Sequence, residues 1–311
     1  MGDSRPRTIV LGSVHMDLIA TAERLPAPGE SVTGGVFAMA PGGKAGNHAC
    51  QLALAGAETA IVTRLGDDGF GQQLMAALKG RGVDIAHVGI DKEAATGAST
   101  VLAAAGDYAS IIAPGAAGRL SLEDVARARP AIEAADALVV QLEIAAEISA
   151  AAAAIASGAG RHVILNASPA PGPWQSLPEP LREAATHLVV NRVEAGRLLG
   201  CDLSAVAADE AAAELAAASG VGTVIVTHGA EGSVAFAEGA LFRQPGFSAE
   251  VADAVGAGDA FLGAAIVALL EGLSPDEALR RGAAAGAIAV ARTGVYEALP
   301  SRREIDAFLL G

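Results

Sequence analysis

The residues whose types and spacing point most directly to chemistry are Asp253-Ala-Val-Gly-Ala-Gly-Asp259, which run straight into AFLGAAIVALLEG. A Gly-Ala-Gly turn at a helix start leaves backbone N–H groups free. Those groups and the helix dipole make an anion site. Asp259 falls in the first turn of the same helix. A carboxylate beside an anion hole opposes simple phosphate binding, because like charges repel. It suits a reaction in which Asp259 takes a proton from a hydroxyl while the amides of Gly256, Ala257 and Gly258 hold a transferring phosphoryl group. The plainer role for Asp259 is to cap the helix.

Pro41-Gly-Gly-Lys-Ala-Gly-Asn47 also opens a helix. Lys44 is followed by Ala, so this is not a Walker A loop. Gly42 and Gly43 let backbone approach a polyhydroxyl ligand, and Asn47 offers donors and an acceptor. The plainer reading is a glycine turn with Asn47 in solvent. Leu11-Gly-Ser-Val-His15-Met-Asp17 follows the first apolar run, and a carboxylate there accepts from two adjacent hydroxyls, or merely shapes a turn. Glu143 follows ALVVQL at the same expected edge, where solvation is its plain alternative. Asn191-Arg-Val-Glu194 puts two oxygen donors on one helical face, suited to Mg²⁺ directly or through its waters. The same four residues also read as a capping box. Thr227-His-Gly-Ala-Glu-Gly232 ends a strand in a glycine loop, suited to nucleotide contact or to a tight hairpin.

Short apolar, β-branched runs alternate with Ala-rich helical stretches and supply the frame for these motifs. Strands are expected at 8–12, 59–65, 137–142, 162–167, 187–191 and 223–228. Several are apolar at consecutive positions, as in strands covered on both faces. Helices are expected at 43–56, 69–80, 146–158, 192–199 and 206–219, then in succession at 256–272, 275–292 and 302–309. Ser274-Pro275 is a helix start. The alternation predicts βαβ units and a mostly parallel sheet between helices. Residues 18–40, with Gly29, Gly34 and Gly35, and the hairpin 98–112, with its Gly106-Asp107 turn signal, break this rhythm. They predict a small β lid whose exposed face needs a ligand or a second subunit.

The chain has 311 residues, of which 52% are hydrophobic and 18% charged, so a large core is expected and disorder is not. The formal net charge of −14 argues against a nucleic-acid partner. No run approaches the ~18 apolar residues of a membrane span, and no signal-peptide stretch precedes the first strand. With only Cys50 and Cys201, no disulfide framework is expected. These features predict a cytoplasmic protein, folded over 1–311 as one domain with the lid inserted.

LGSVHMD, PGGKAGN, QLE, NRVE, THGAEG and DAVGAGD, in this order, resemble the ribokinase-like (PfkB) family of carbohydrate kinases from about Ile9 to Phe308. The resemblance implies a three-layer α/β fold and transfer of the ATP γ-phosphoryl group to a sugar hydroxyl, foremost the 5-hydroxyl of ribose. It implies Asp259 as the base, with the Gly256–Gly258 amides as anion hole. His15, Asp17, Gly42, Gly43, Lys44, Asn47 and Glu143 then line the sugar site. Asn191, Thr227, Gly229, Gly232 and Gly258 follow the nucleotide, and Asn191 and Glu194 order Mg²⁺ through water. A monovalent cation, K⁺, is implied beside Asp253, Val255, Ala289, Arg292 and Gly294. Apart from the resemblance, the uncovered face of the lid predicts a homodimer through it.

Four positions depart from the family pattern: His15 stands for the usual Asn, GGKAGN for GGKGAN, Ala254 for Thr, and Ala298 for a Ser. The first two bear on the sugar and the last on the cation. A nucleoside or pseudouridine kinase, a fructokinase-like or deoxyribokinase-like enzyme, and a non-catalytic sugar binder are the alternatives. Aromatic residues are 3% of the chain, and only Phe37 and Tyr108 stand near the lid to cover a base. That scarcity favours a bare sugar.

Overall fold

Strand β1 (Arg7–Leu11) shows how the sequence builds the core. Ile9 and Leu11 belong to one buried apolar cluster and Val10 to another. Successive strand side chains point to opposite faces, so consecutive apolar residues must be covered twice. The computed structural model describes residues 5–104, 107–201 and 208–311. In chain order the next elements are β2 (His15–Ala22), β3 (Val36–Gly42), α1 (Lys44–Ala55), β4 (Glu58–Gly66), α2 (Gly69–Gly80), β5 (Asp84–Asp91), β6 (Thr96–Ala104) and β7 (Asp107–Gly115). There follow α3 (Leu122–Ala134), β8 (Ala137–Val140), α4 (Ala146–Gly158), β9 (His162–Asn166), α5 (Glu179–Ala184), β10 (His187–Asn191), α6 (Arg192–Leu199), α7 (Ala208–Ser219) and β11 (Thr223–Thr227). The chain closes with β12 (Gly232–Ala237), β13 (Ala240–Pro245), α8 (Ala257–Leu270), α9 (Pro275–Val290) and α10 (Arg302–Leu310).

One nine-stranded sheet runs β13-β12-β11-β10-β9-β8-β1-β4-β5. Its pairs from β11 through to β5 are parallel, while β12 and β13 join antiparallel. Helices α3 to α7 pack against one face, with Leu138, Val163, Leu188 and Val224. Helices α1, α2, α8 and α9 pack against the other, with Val139, Ile164, Val189 and Ile225. The expected three-layer α/β architecture is therefore present. Strands β5, β12 and β13 and helices α3 and α5 lie beyond the expected elements. β5 is a half-exposed edge strand with no continuous apolar run, and four of the six residues of β12 are Gly, Ser or Ala.

A second, four-stranded sheet has the order β3-β2-β6-β7. It starts at the end of β1, so its base sits over the carboxyl ends of the parallel strands. Its rows pair His15 with Gly42 and Gly97, and Asp17 with Ala40 and Ser99. Gly106 of the expected turn, the side chain of Tyr108, and positions 206 and 207 of the expected helix 206–219 lie outside the described residues. No described helix is long and apolar enough to cross a membrane.

Candidate active site

Register brings the motifs to one edge. In the parallel sheet Leu11 pairs with Val140, and Asn191 with Thr227. Gln141 and Glu143, Asn191 and Thr227 therefore leave the sheet at its carboxyl edge, where ligands of open α/β sheets bind.

Helix α8 reaches this edge with its amino end. Gly256, its N-cap, sits at φ 80° and makes no side-chain cap. The first N–H groups of the helix have no intrahelical partner, and they carry the positive end of the dipole. Asp259 lies in this first turn but does not cap it. Its carboxylate turns to α1: Asn47 Nδ2 donates to Oδ2 at 2.6 Å, and His48 Nε2 lies 2.9 Å from Oδ1. The Lys44 ammonium is 3.8 Å from Oδ1. One turn further along both helices, a Cβ on Gly263 would stand 2.5 Å from Gln51 Cγ. Only glycine permits that approach, and it sets α1 against α8 at the height of Asp259.

Burial alone would raise the pKa of Asp259, because it penalises the charged form. Lys44, His48 and Asn47 outweigh burial, and the carboxyl is held well below the usual range. For Lys44, burial opposes the charge, but Asp259, Glu143 and Glu194 together push its pKa up. The site thus holds an ionised carboxylate and an ammonium side by side.

Glu143 is not merely solvated. Its Oε2 accepts the Ser13 hydroxyl and, at 2.9 Å, the backbone N–H of Lys44, which starts α1. His15 Nε2 lies 3.2 Å from Asp17 Oδ1. Asp17 packs over Gly42, where an added Cβ would fall 2.3 Å from Oδ2. Asn47 Oδ1 is buried with no hydrogen-bond partner. A hydroxyl donor from a bound ligand would satisfy it.

On the far side, Asn191 caps α6: its Oδ1 accepts the Glu194 N–H, and Glu194 Oε2 accepts the Asn191 N–H, both at 2.9 Å. The capping-box reading of NRVE is therefore correct, and it leaves one oxygen of Glu194 outside that pair. Thr227 Oγ1 donates to Val190 O at 3.4 Å. Gly229 and Gly232 take φ of 57° and 108° in the turn after β11, where His228 N donates to Gly232 O. In the loop before α8, Asp253 Oδ1 accepts from Val255 N and Oδ2 from Gly294 N, at 3.0 and 3.4 Å. Arg292 N donates to Ala289 O, and the Arg292 guanidinium pairs with Glu304.

Residues 5–302 match the family model for pfkB family carbohydrate kinases. The chain belongs to the pfkB family of carbohydrate kinases. Ribokinase of Haemophilus influenzae is 34% identical over 310 residues, covering 98% of this chain and 99% of that protein. Ribokinase of Mus musculus is 31% identical over 302 residues, covering 96% and 93%. The structure of Arabidopsis thaliana ribokinase complexed with ribose and ATP superposes with a TM-score of 0.87 at 31% identity, covering 98% of both chains.

In this pfkB kinase the structure gathers Lys44, Asn47 and Asp259 into one contact set, with Glu143 behind Lys44 and His15 beside Asp17. Asn191 and Thr227 are neighbours in register, and Asp253 meets Gly294. His48, Gln141 and Ser13 are polar participants that the motif reading passed over. His48 follows Asn47 directly, and Ser13 and Gln141 lie inside the motifs LGSVHMD and QLE, so membership of those motifs was the available signal. A groove of about 750 Å³ between α3 and α4 shares no residue with this site.

Proposed function

We propose that this enzyme phosphorylates D-ribose on its 5-hydroxyl with ATP, with Asp259 as general base. The observation that carries this reading is the Asp259 carboxylate, held ionised by α1 in the first turn of α8. A base and an anion hole there serve one reaction. The hydroxyl oxygen forms a bond to the γ-phosphorus, its proton passes to Asp259, and the bond to the bridging oxygen breaks so that ADP leaves with the electron pair. The N–H groups of Gly256, Ala257 and Gly258 face the charge on the transferring group, and Lys44 adds an ammonium beside it.

The sugar falls to His15, Asp17, Gly42, Gly43, Lys44, Asn47 and Glu143. Asp17 accepts from hydroxyls, His15 fixes its rotamer, and Asn47 Oδ1 accepts one hydroxyl more. The relatives support the substrate: those from Haemophilus influenzae and Mus musculus are ribokinases, and a structural neighbour was solved with ribose and ATP. A relative named deoxyribokinase, from Salmonella typhi, is 27% identical, so a deoxypentose belongs in the assay.

Asn191, Thr227, Gly229 and Gly232 line the nucleotide. No described cluster of three His, Cys, Asp or Glu side chains could grip a metal directly. Glu194, bound through one oxygen to its cap, fits Mg²⁺ held by water and nucleotide phosphates. When bound, the ion would supply charge neutralisation to the phosphates. The Asp253 carboxylate and the carbonyls of Val255, Ala289, Arg292 and Gly294 would hold a monovalent cation, K⁺, which would supply positive charge to the phosphoryl-transfer site.

The lid supports a homodimer. Phe37, Met39 and Ile111 share the face opposite Asp17 and are 63%, 49% and 76% exposed. A second copy would bury them. The cytoplasm is the compartment that holds ATP, and it suits a chain whose Cys50 and Cys201 are both free thiols.

The test is ATP consumption with a panel of ribose, deoxyribose, fructose, other hexoses and nucleosides. Ribose should give the highest kcat/KM. Nucleoside preference, or sugar binding without turnover, would overturn the reading.

A further inference from the structure

The motif reading assigns nothing to His48, yet this ring is fully buried with both nitrogens engaged. Nε2 faces Asp259 Oδ1 at 2.9 Å. An ionised carboxylate only accepts, so Nε2 carries a proton. Nδ1 lies 3.1 Å from Gln141 Nε2. An amide NH₂ only donates, so Nδ1 carries the lone pair. The ring is therefore the neutral Nε2–H tautomer, fixed by Gln141. The Gln141 side chain is equally buried, and its oxygen lies against Gly12, where a Cβ would come within 2.2 Å.

The terminal torsion of an aspartate is broad and does not orient its oxygens. At Asp259 two adjacent residues of α1 take one oxygen each, Asn47 on Oδ2 and His48 on Oδ1. The hold at two points stops rotation and leaves the remaining lone pairs aimed in one direction. The chain of hydrogen bonds ends at Gln141, a donor without an acidic proton, so it carries no proton onward. A proton taken by Asp259 stays there until the carboxyl releases it.

We propose that His48, oriented by Gln141, is a positioning residue for phosphoryl transfer, which locks the Asp259 carboxylate in its reactive orientation. This rests on the reading of Asp259 as the base. The charged group facing Asp259 is Lys44, and the titratable ring beside it is His48, both on α1. Glu143 after β8 and Glu194 on α6 act on Lys44.

The test compares wild type, His48→Leu, His48→Gln and Gln141→Leu in steady-state kinetics with ribose and ATP. Misplacing a reacting group by about 1 Å costs on the order of a hundredfold. His48→Leu should therefore lower kcat by about ten- to a hundredfold with KM for ATP unchanged. His48→Gln, which keeps a donor at similar reach, should recover most of kcat. Gln141→Leu should fall between wild type and His48→Leu. The acidic limb of kcat should move to higher pH in His48→Leu, because the carboxylate loses a donor. Wild-type kcat and pH profile in His48→Leu would overturn the proposal, as would equal losses in the Leu and Gln variants. Turnover retained by Asp259→Asn would instead remove the base assignment, so the two failures are distinct.

Discussion

Asn47 and Asp259 stand 212 residues apart in the chain, and the Asn47 amide nitrogen lies 2.6 Å from Asp259 Oδ2. The contact joins the glycine turn that opens α1 to the glycine turn that opens α8. It ties the proposed sugar site to the proposed anion hole through one hydrogen bond, so substrate position and base position are set together.

Asp259→Asn removes the proton acceptor with little change of shape. The neutral amide can still accept from His48, and the Asn47 amide can turn its unpartnered oxygen towards the new donor. Phosphoryl transfer should fall by at least about a hundredfold, the usual scale of general-base catalysis. ATP binding by calorimetry and the unfolding midpoint should stay near wild type. Turnover above about a hundredth of wild type would defeat the assignment.

Gly43 sits at φ 91°, and an added Cβ would lie 2.7 Å from Ser13 O. Backbone on both sides cannot yield cheaply, so Gly43→Ala should cost more than the ~1–2 kcal/mol of a left-handed conformation alone. Gly82 has φ 81° with nothing within 4 Å of its would-be Cβ. Gly82→Ala should cost only the conformational part. Urea unfolding of the pair measures the difference, and equal costs would show that the Ser13 contact does not matter.

Phe37→Glu with Ile111→Glu places two charges on the lid face turned away from Asp17. Sedimentation at micromolar concentration should show wild type as a dimer and the double variant as a monomer. A monomeric wild type would refute the lid dimer.

Burial, aided by the neighbouring His162, pushes the His187 pKa down from 6.5 to about 4. Between those pH values the unfolded chain binds more protons at this residue than the folded one. Stability at His187 therefore rises with pH across the window and is lost as pH falls from 6.5 towards 4. At ~1.4 kcal/mol per unit the full effect is of order 3 kcal/mol. His187→Phe should flatten the pH dependence of unfolding there by a comparable amount. An unchanged slope would mean that the ring titrates normally.

The sequence by itself determined the frame and the motifs. Consecutive apolar residues in β1, β8, β10 and β11 required cover on both faces, and PGGKAGN and DAVGAG placed two helix starts. These are local signals, legible because strand and helix periodicities act within a few residues. The edge pieces were not legible: β5 half-faces solvent, and four of the six residues of β12 are Gly, Ser or Ala, so neither carries the run of large β-branched residues that marks the core strands. Asp259 was selected, but its plainer role as a cap could not be dismissed from sequence, because a cap and a base carry the same side chain. Packing showed that Asp259 does not cap α8. The glycine at 263 brings α1 onto α8, both carboxylate oxygens turn to Asn47 and His48, and Gln141 fixes the tautomer of the ring. Such hydrogen bonds join residues with no sequence relation, and only the folded chain sets their distances.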